Sequence, residues 1–304
     1  MILATVTKGR RRRSKRRENG TARLHAGWGA HGFSALSEVP GQRTPVQLNR
    51  GCRAARTMRH THGQAQSNSI NSEAHVSKAL DTSSDTDPLA DLATQRGWLW
   101  SPPRNVRDGA LATLILAHGA GAPMDSAFMN DMAGRLAEQG VGVLRFEFPH
   151  MAQRRIDGRK RPPNLQPKLL ECWRDVVHTV RPTLTGRLAI GGKSMGGRMA
   201  SLVADELQAH ALVCLGYPFY AAAKPEKPRV AHLADLKTPT LIVQGEKDAL
   251  GNRQAVEGYA LSSAIEVLWL PTANHDLKPL KSSGVTYDSC LQDVAQQIAA
   301  RLLA

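Results

Sequence analysis

A chain of 304 residues with 40 Lys/Arg against 26 Asp/Glu has a formal charge of +14 and room for one or two domains, but the charge is unevenly placed. The first 60 residues hold 14 of the basic and 2 of the acidic side chains, a net +12, and the remaining 244 come to only +2, so the basic balance does not make the whole chain a nucleic-acid binder. No run reaches the ~18 apolar residues of a membrane span, and Cys52, Cys172, Cys214 and Cys290 lie far apart with no C-x-x-C pair, which argues against a disulfide framework and for free thiols in a reducing, cytoplasmic setting.

Met1 to Thr7 is too short an apolar stretch for a secretory signal, and the basic run follows it instead of preceding it. Arg10 to Arg17 has the density of a nuclear-localisation or nucleic-acid patch, and the Arg-rich stretch to Arg59 also suits an organelle transit peptide. The same stretch has no sustained apolar period and much Gly, Ser, Thr and Arg, which fits a disordered tail or an over-extended start, Met58 being the next methionine. Residues 61–95 are polar and read as a linker, with a faint helical signal at Leu89, Leu92 and Ala93. The expected organisation is a basic tail and linker over 1–95 and one folded domain over 96–304.

From residue 96 onward, apolar runs of strand length alternate with amphipathic stretches of helix length, the signature of a mainly parallel sheet covered by helices on both faces. The predicted strands are Gly97 to Trp100, Leu111 to His118, Val141 to Phe148, Leu188 to Gly192, Ala211 to Gly216, Thr240 to Gln244 and Ile265 to Leu270. Between them the 3.6-residue period marks helices at Phe128, Met129, Met132 and Leu136, at Leu165, Leu169, Trp173 and Val176, and at Met195, Met199, Leu202 and Val203. A last helix follows at Cys290, Leu291, Val294 and Ile298. These stripes are assigned to the core and given no chemistry.

Ligands of open α/β sheets bind beyond the carboxyl ends of the strands, so the chemistry is sought just after each apolar run. The strand ending near Ile190 runs into G-x-S-x-G, namely Gly192, Lys193, Ser194, Met195 and Gly196, and then a helix. Small residues two before and two after the serine permit a strained strand-to-helix turn that lifts its hydroxyl out of the sheet. A serine needs a base, and the base an orienting acid. Asp248 follows the strand beginning at Thr240, and His275 lies in the loop before the last helix, with Glu246 as the competing acid. The turn His118-Gly119-Ala120-Gly121 is expected to aim the Ala120 N–H at an oxyanion, with the Met195 N–H as second donor. His118 is expected to brace this turn.

Together, Ser194, Asp248, His275 and the His118-Gly119 turn resemble the α/β-hydrolase superfamily across 97–304. Gly191-Gly-Lys-Ser-Met-Gly-Gly-Arg198 and the Met151-Ala-Gln-Arg-Arg155 loop resemble a small, lid-poor branch. That branch includes bacterial dienelactone-hydrolase-like proteins and the hydrolase-like domain of a subunit of the nonspecific lethal histone acetyltransferase complex. The resemblance implies an α/β-hydrolase fold with a minimal lid, and the branch includes scaffolds as well as enzymes.

The expected activity is a serine carboxylesterase or dienelactone-hydrolase-like enzyme acting on a small soluble ester, thioester or lactone, with no metal or organic cofactor. Only about 25 residues separate Gly216 from Leu241, room for a small flap. Arg154 and Arg155 could pair with an acidic substrate, and Tyr217 is expected to line the acyl pocket. The alternative is a non-catalytic protein-interaction module on the same fold. Nucleic acid is expected as a partner only through the basic tail, and no oligomeric state is indicated.

Overall fold

The computed structural model describes residues 87–106 and 111–304; the readings made for the basic tail and for the linker as far as residue 86 lie outside them. The domain opens on α1 (Pro88–Arg96), β1 (Leu99–Ser101), β2 (Ala112–Ala117), α2 (Ala127–Glu138) and β3 (Val141–Phe146). Next come α3 (Pro149–Asp157), α4 (Gln166–Val180), β4 (Arg187–Lys193), α5 (Met195–Ser201) and β5 (Ala211–Leu215). It closes with β6 (Tyr220–Ala221), β7 (Lys224–Pro228), β8 (Thr240–Gly245), α6 (Arg253–Val256), β9 (Ile265–Leu270) and α7 (Tyr287–Leu303).

Seven strands form one sheet in the order β1-β3-β2-β4-β5-β8-β9. β1 runs antiparallel to β3, and every other neighbouring pair is parallel. Alternate side chains of each strand feed opposite faces. Ile115, Ala117, Leu144 and Phe146 join a core with α1, α4 and α5 on one side. Leu114, Leu116, Val141 and Val143 join a second core with α2 and α7 on the other. Burial on both faces explains why these strands read as unbroken apolar runs, and each fully buried Leu or Phe contributes about 1.5–3 kcal/mol. This is the mainly parallel sheet with helices on both faces expected from the sequence.

Three local readings need correction. Residues 88–95, placed in the linker, form α1 together with Arg96: Asp87 caps it by accepting from the Leu89 and Ala90 N–H groups, Pro88 starts it and Gly97 ends it in the left-handed region. Leu89 and Ala93 are buried in the core, so the folded part extends back to residue 87. The helical signal at Leu89, Leu92 and Ala93 was faint because so few apolar residues carry it, and the Asp-Pro start and Gly stop add the missing boundaries. The basic loop at 151–155 is part of α3, begun by Pro149 and stopped at a left-handed Gly158. Leu165, counted in a buried stripe, is instead the exposed residue before α4.

Between β5 and β8 stands the short β6–β7 hairpin, whose β7 residues are all exposed. It is a flap too small to bury a cleft. Among the described residues no helix is long and apolar enough to cross a membrane.

Candidate active site

β4 ends at Lys193, and the chain turns into α5 through Ser194, which is held at φ 52° and ψ −116°. A non-glycine residue there carries about 1–3 kcal/mol of strain, kept only where neighbours over-determine it. Those neighbours are close. A methyl group at Gly192 would lie 2.6 Å from the Ala117 carbonyl oxygen, and one at Gly196 would lie 2.5 Å from the same atom. The turn is therefore pressed against the end of β2, and its sharpness directs Ser194 toward the loop after β9.

That loop delivers His275. Its Nε2 lies 2.9 Å from Ser194 Oγ, and its Nδ1 lies 2.8 Å from Asp248 Oδ2. Asp248 is fully buried after β8; its Oδ1 accepts from the Leu250 N–H at 2.7 Å and its Oδ2 from Gln244 Nε2 at 2.9 Å. A carboxylate accepts, so the proton of the ring sits on Nδ1 and Nε2 is left to accept from the serine hydroxyl. Glu246, the competing acid, is turned away to Arg253 and the Thr272 N–H. Asp276 is exposed and lies beside Lys193.

A cavity of about 350 Å³ opens over Ser194 and His275, walled by Gly119, Ala120, Gly121 and Phe128 among others. Among the described residues, neither the Ala120 nor the Met195 N–H is taken by another group of the protein, and Met195 begins α5, where backbone N–H groups carry partial positive charge. His118 is buried: its Nδ1–H donates to the Gly119 carbonyl at 2.6 Å while Nε2 accepts from the Phe148 N–H at 3.1 Å. Burial pulls its pKa from the ordinary 6.5 to about 4, so it is neutral. It ties the glycine turn to the end of β3, as a brace.

The alpha/beta hydrolase domain family matches residues 110–302, the span that carries this turn, both acids weighed and the histidine. The chain belongs to the α/β-hydrolase family. Among solved structures, it is similar to a lidless α/β serine hydrolase from Xanthomonas campestris at 21% identity, covering 68% of this chain and 88% of that one, TM-score 0.51. An α/β serine hydrolase homologue from Coxiella burnetii is 18% identical over 68% of this chain and 91% of its own, TM-score 0.52. A soluble variant of monoglyceride lipase from Saccharomyces cerevisiae is 13% identical over 67% and 90%, TM-score 0.51. At such identities these likenesses speak for the fold alone.

Three expected contacts of this α/β-hydrolase are not made. Arg155 is held by Asp125 and Glu147, at 2.8 Å and 2.6 Å, and its charge is spent there. Among the described residues, Arg154 reaches only the Met151 sulfur, at 4.0 Å. Neither lines the cavity. Tyr217 is fully buried below the flap, with its hydroxyl beside Ser201 and the Arg229 carbonyl, so it is core and not acyl pocket. Ser201 also meets His232, at 2.8 Å; but that hydroxyl is buried and donates to the Arg198 carbonyl, so the pair is structural.

Sequence reasoning missed Gln244 and Lys193. Gln244 is fully buried; its Oε1 accepts from the Tyr217 N–H at 2.7 Å and its Nε2 holds Asp248 and the Gly251 carbonyl. The available signal was an amide closing an otherwise apolar strand. Lys193 lies on the cavity wall and donates to the His275 carbonyl. Phe128, assigned wholly to the core, also supplies part of that wall.

Proposed function

We propose that this α/β-hydrolase is a serine hydrolase of the lid-poor, dienelactone-hydrolase-like kind, cleaving a small soluble ester, thioester or lactone through an acyl-enzyme. The observation that carries the reading is the unbroken relay from buried Asp248 through His275 to Ser194, with contacts of 2.8 Å and 2.9 Å.

His275 Nε2 takes the hydroxyl proton as Ser194 Oγ attacks the substrate carbonyl carbon. The oxyanion is met by the Met195 and Ala120 N–H groups, each such donor being worth about 10²–10³ in turnover. The C–O or C–S bond to the leaving group then breaks, and that group takes the proton from Nε2. Water, deprotonated by the same nitrogen, hydrolyses the acyl-serine and restores the hydroxyl. A 350 Å³ cavity with only a short hairpin nearby favours compact substrates over aggregated lipid.

Intact-mass labelling of the full chain with a fluorophosphonate tests the proposal. One adduct is expected on the native protein and none on Ser194→Ala, with His275→Ala labelling far more slowly. A folded native protein that takes no adduct would sink it and favour the non-catalytic interaction module.

A further inference from the structure

Lys193 is an uncommon residue to find beneath a serine turn: it is only 9% exposed, and a buried ammonium must be compensated. Its Nζ donates to the carbonyl oxygen of His275 at 2.8 Å and lies 3.7 Å from Asp276 Oδ1. The stem crosses the cavity wall, with Nζ 5.8 Å from the centre of the Phe128 ring. Two consecutive residues thus grip one: Ser194 meets the ring of His275 and Lys193 meets its main chain. The gap that allows this is kept open by Gly216, at φ 65°, where a methyl group would stand 2.6 Å from the His275 carbonyl oxygen and 3.2 Å from Nζ.

His275 lies in the loop between β9 and α7, where its neighbours are tied by the Lys247 N–H to the Ala273 carbonyl at 2.9 Å and by the Asn274 N–H to the Lys278 carbonyl at 3.1 Å, and its own carbonyl is bonded by Lys193. Releasing that carbonyl would let the ring shift against Ser194, and a misplacement of ~1 Å can cost about a hundredfold in rate. We propose, resting on the serine-hydrolase reading above, that Lys193 is a positioning residue that clamps the His275 peptide and so holds the ring against Ser194.

The charged groups facing this ammonium are Asp276 from the loop and Asp248 from the turn after β8. Burial lowers the affinity of Lys193 for its proton, while Asp276 and Asp248 oppose that effect. The consequence of the clamp is alignment: it fixes the His275 peptide from which the ring reaches Ser194.

The test is the second-order rate of fluorophosphonate labelling of the full chain at about pH 8, with folding followed by circular dichroism. Lys193→Met should fold and label about tenfold to a hundredfold more slowly. Lys193→Arg keeps a donor and should recover most of the rate. Folded Lys193→Met with the native rate would overturn the clamp. Should Lys193→Met not fold, a folded Lys193→Arg that labels about tenfold or more slower than the native protein overturns it equally. Failure of the parent reading looks different, because then the native protein itself takes no label.

Discussion

Ser194 and His275 stand 2.9 Å apart and His275 and Asp248 2.8 Å, so each removal has its own expected cost. Asp248→Asn keeps the shape but offers an amide where the ring needs an acceptor, and turnover should fall about 10⁴-fold. Kinetics on a small activated ester would check this, and a loss under tenfold would contradict the relay. A second expectation concerns His118, which must stay neutral because its Nε2 accepts from Phe148. Its pKa is lowered by burial to about 4, so between roughly pH 6.5 and 4 the unfolded chain binds the extra proton. Stability from this group is complete above pH 6.5 and is lost as pH falls toward 4, by roughly 3 kcal/mol in all. His232, also lowered to about 4 by burial and by Arg198, loses stability in the same window. Urea unfolding from pH 4.5 to 7 should show a slope that is shallower in His118→Gln; an equal slope would count against the brace.

The elements around the site are set by how closely they pack. β2 and β4 are parallel neighbours, with Ala117 opposite Gly192, and α5 begins directly beyond them. The Gly196 position leaves no space for a methyl group beside the Ala117 and His118 carbonyls, at 2.5 Å and 2.6 Å. Gly196→Ala must therefore move α5 away from β2, costing about 1–3 kcal/mol and carrying the Met195 N–H with it. The expected result is a folded protein of lower melting temperature that no longer labels with fluorophosphonate. Native labelling in that variant would show that the turn is looser than its contacts require. By contrast, the β6–β7 hairpin is exposed along β7 and meets the site only at its β6 end, where the buried Tyr220 donates its N–H to the Leu250 carbonyl at 3.1 Å, among the described residues.

Across the whole described molecule, the domain is closed by elements from both ends of the segment: α1 packs into one core and α7 into the other. Leu89 is 4% exposed, and Leu89→Ala should cost about 2–5 kcal/mol in chemical denaturation of the full chain. A cost near zero would place α1 outside the cooperative unit. Much of this plan was legible beforehand. The alternating apolar runs reported a sheet buried on both faces because strand and helix periods are local properties of the chain. Ser194, Asp248 and His275 were legible because the strand-end rule and the glycine spacing around Ser194 act within a few residues. Their meeting across 81 and 27 positions was decided by the tertiary structure, as were the capture of Arg155 by Asp125 and Glu147 and the burial of Tyr217. So was the reach of Lys193 to the His275 carbonyl. Sequence by itself determined the seven strands of the main sheet in chain order and the types of side chain at the strand ends; only the packed sheet decided which charges are already paired and which face the cavity, because pairing and desolvation depend on distances that no local pattern encodes.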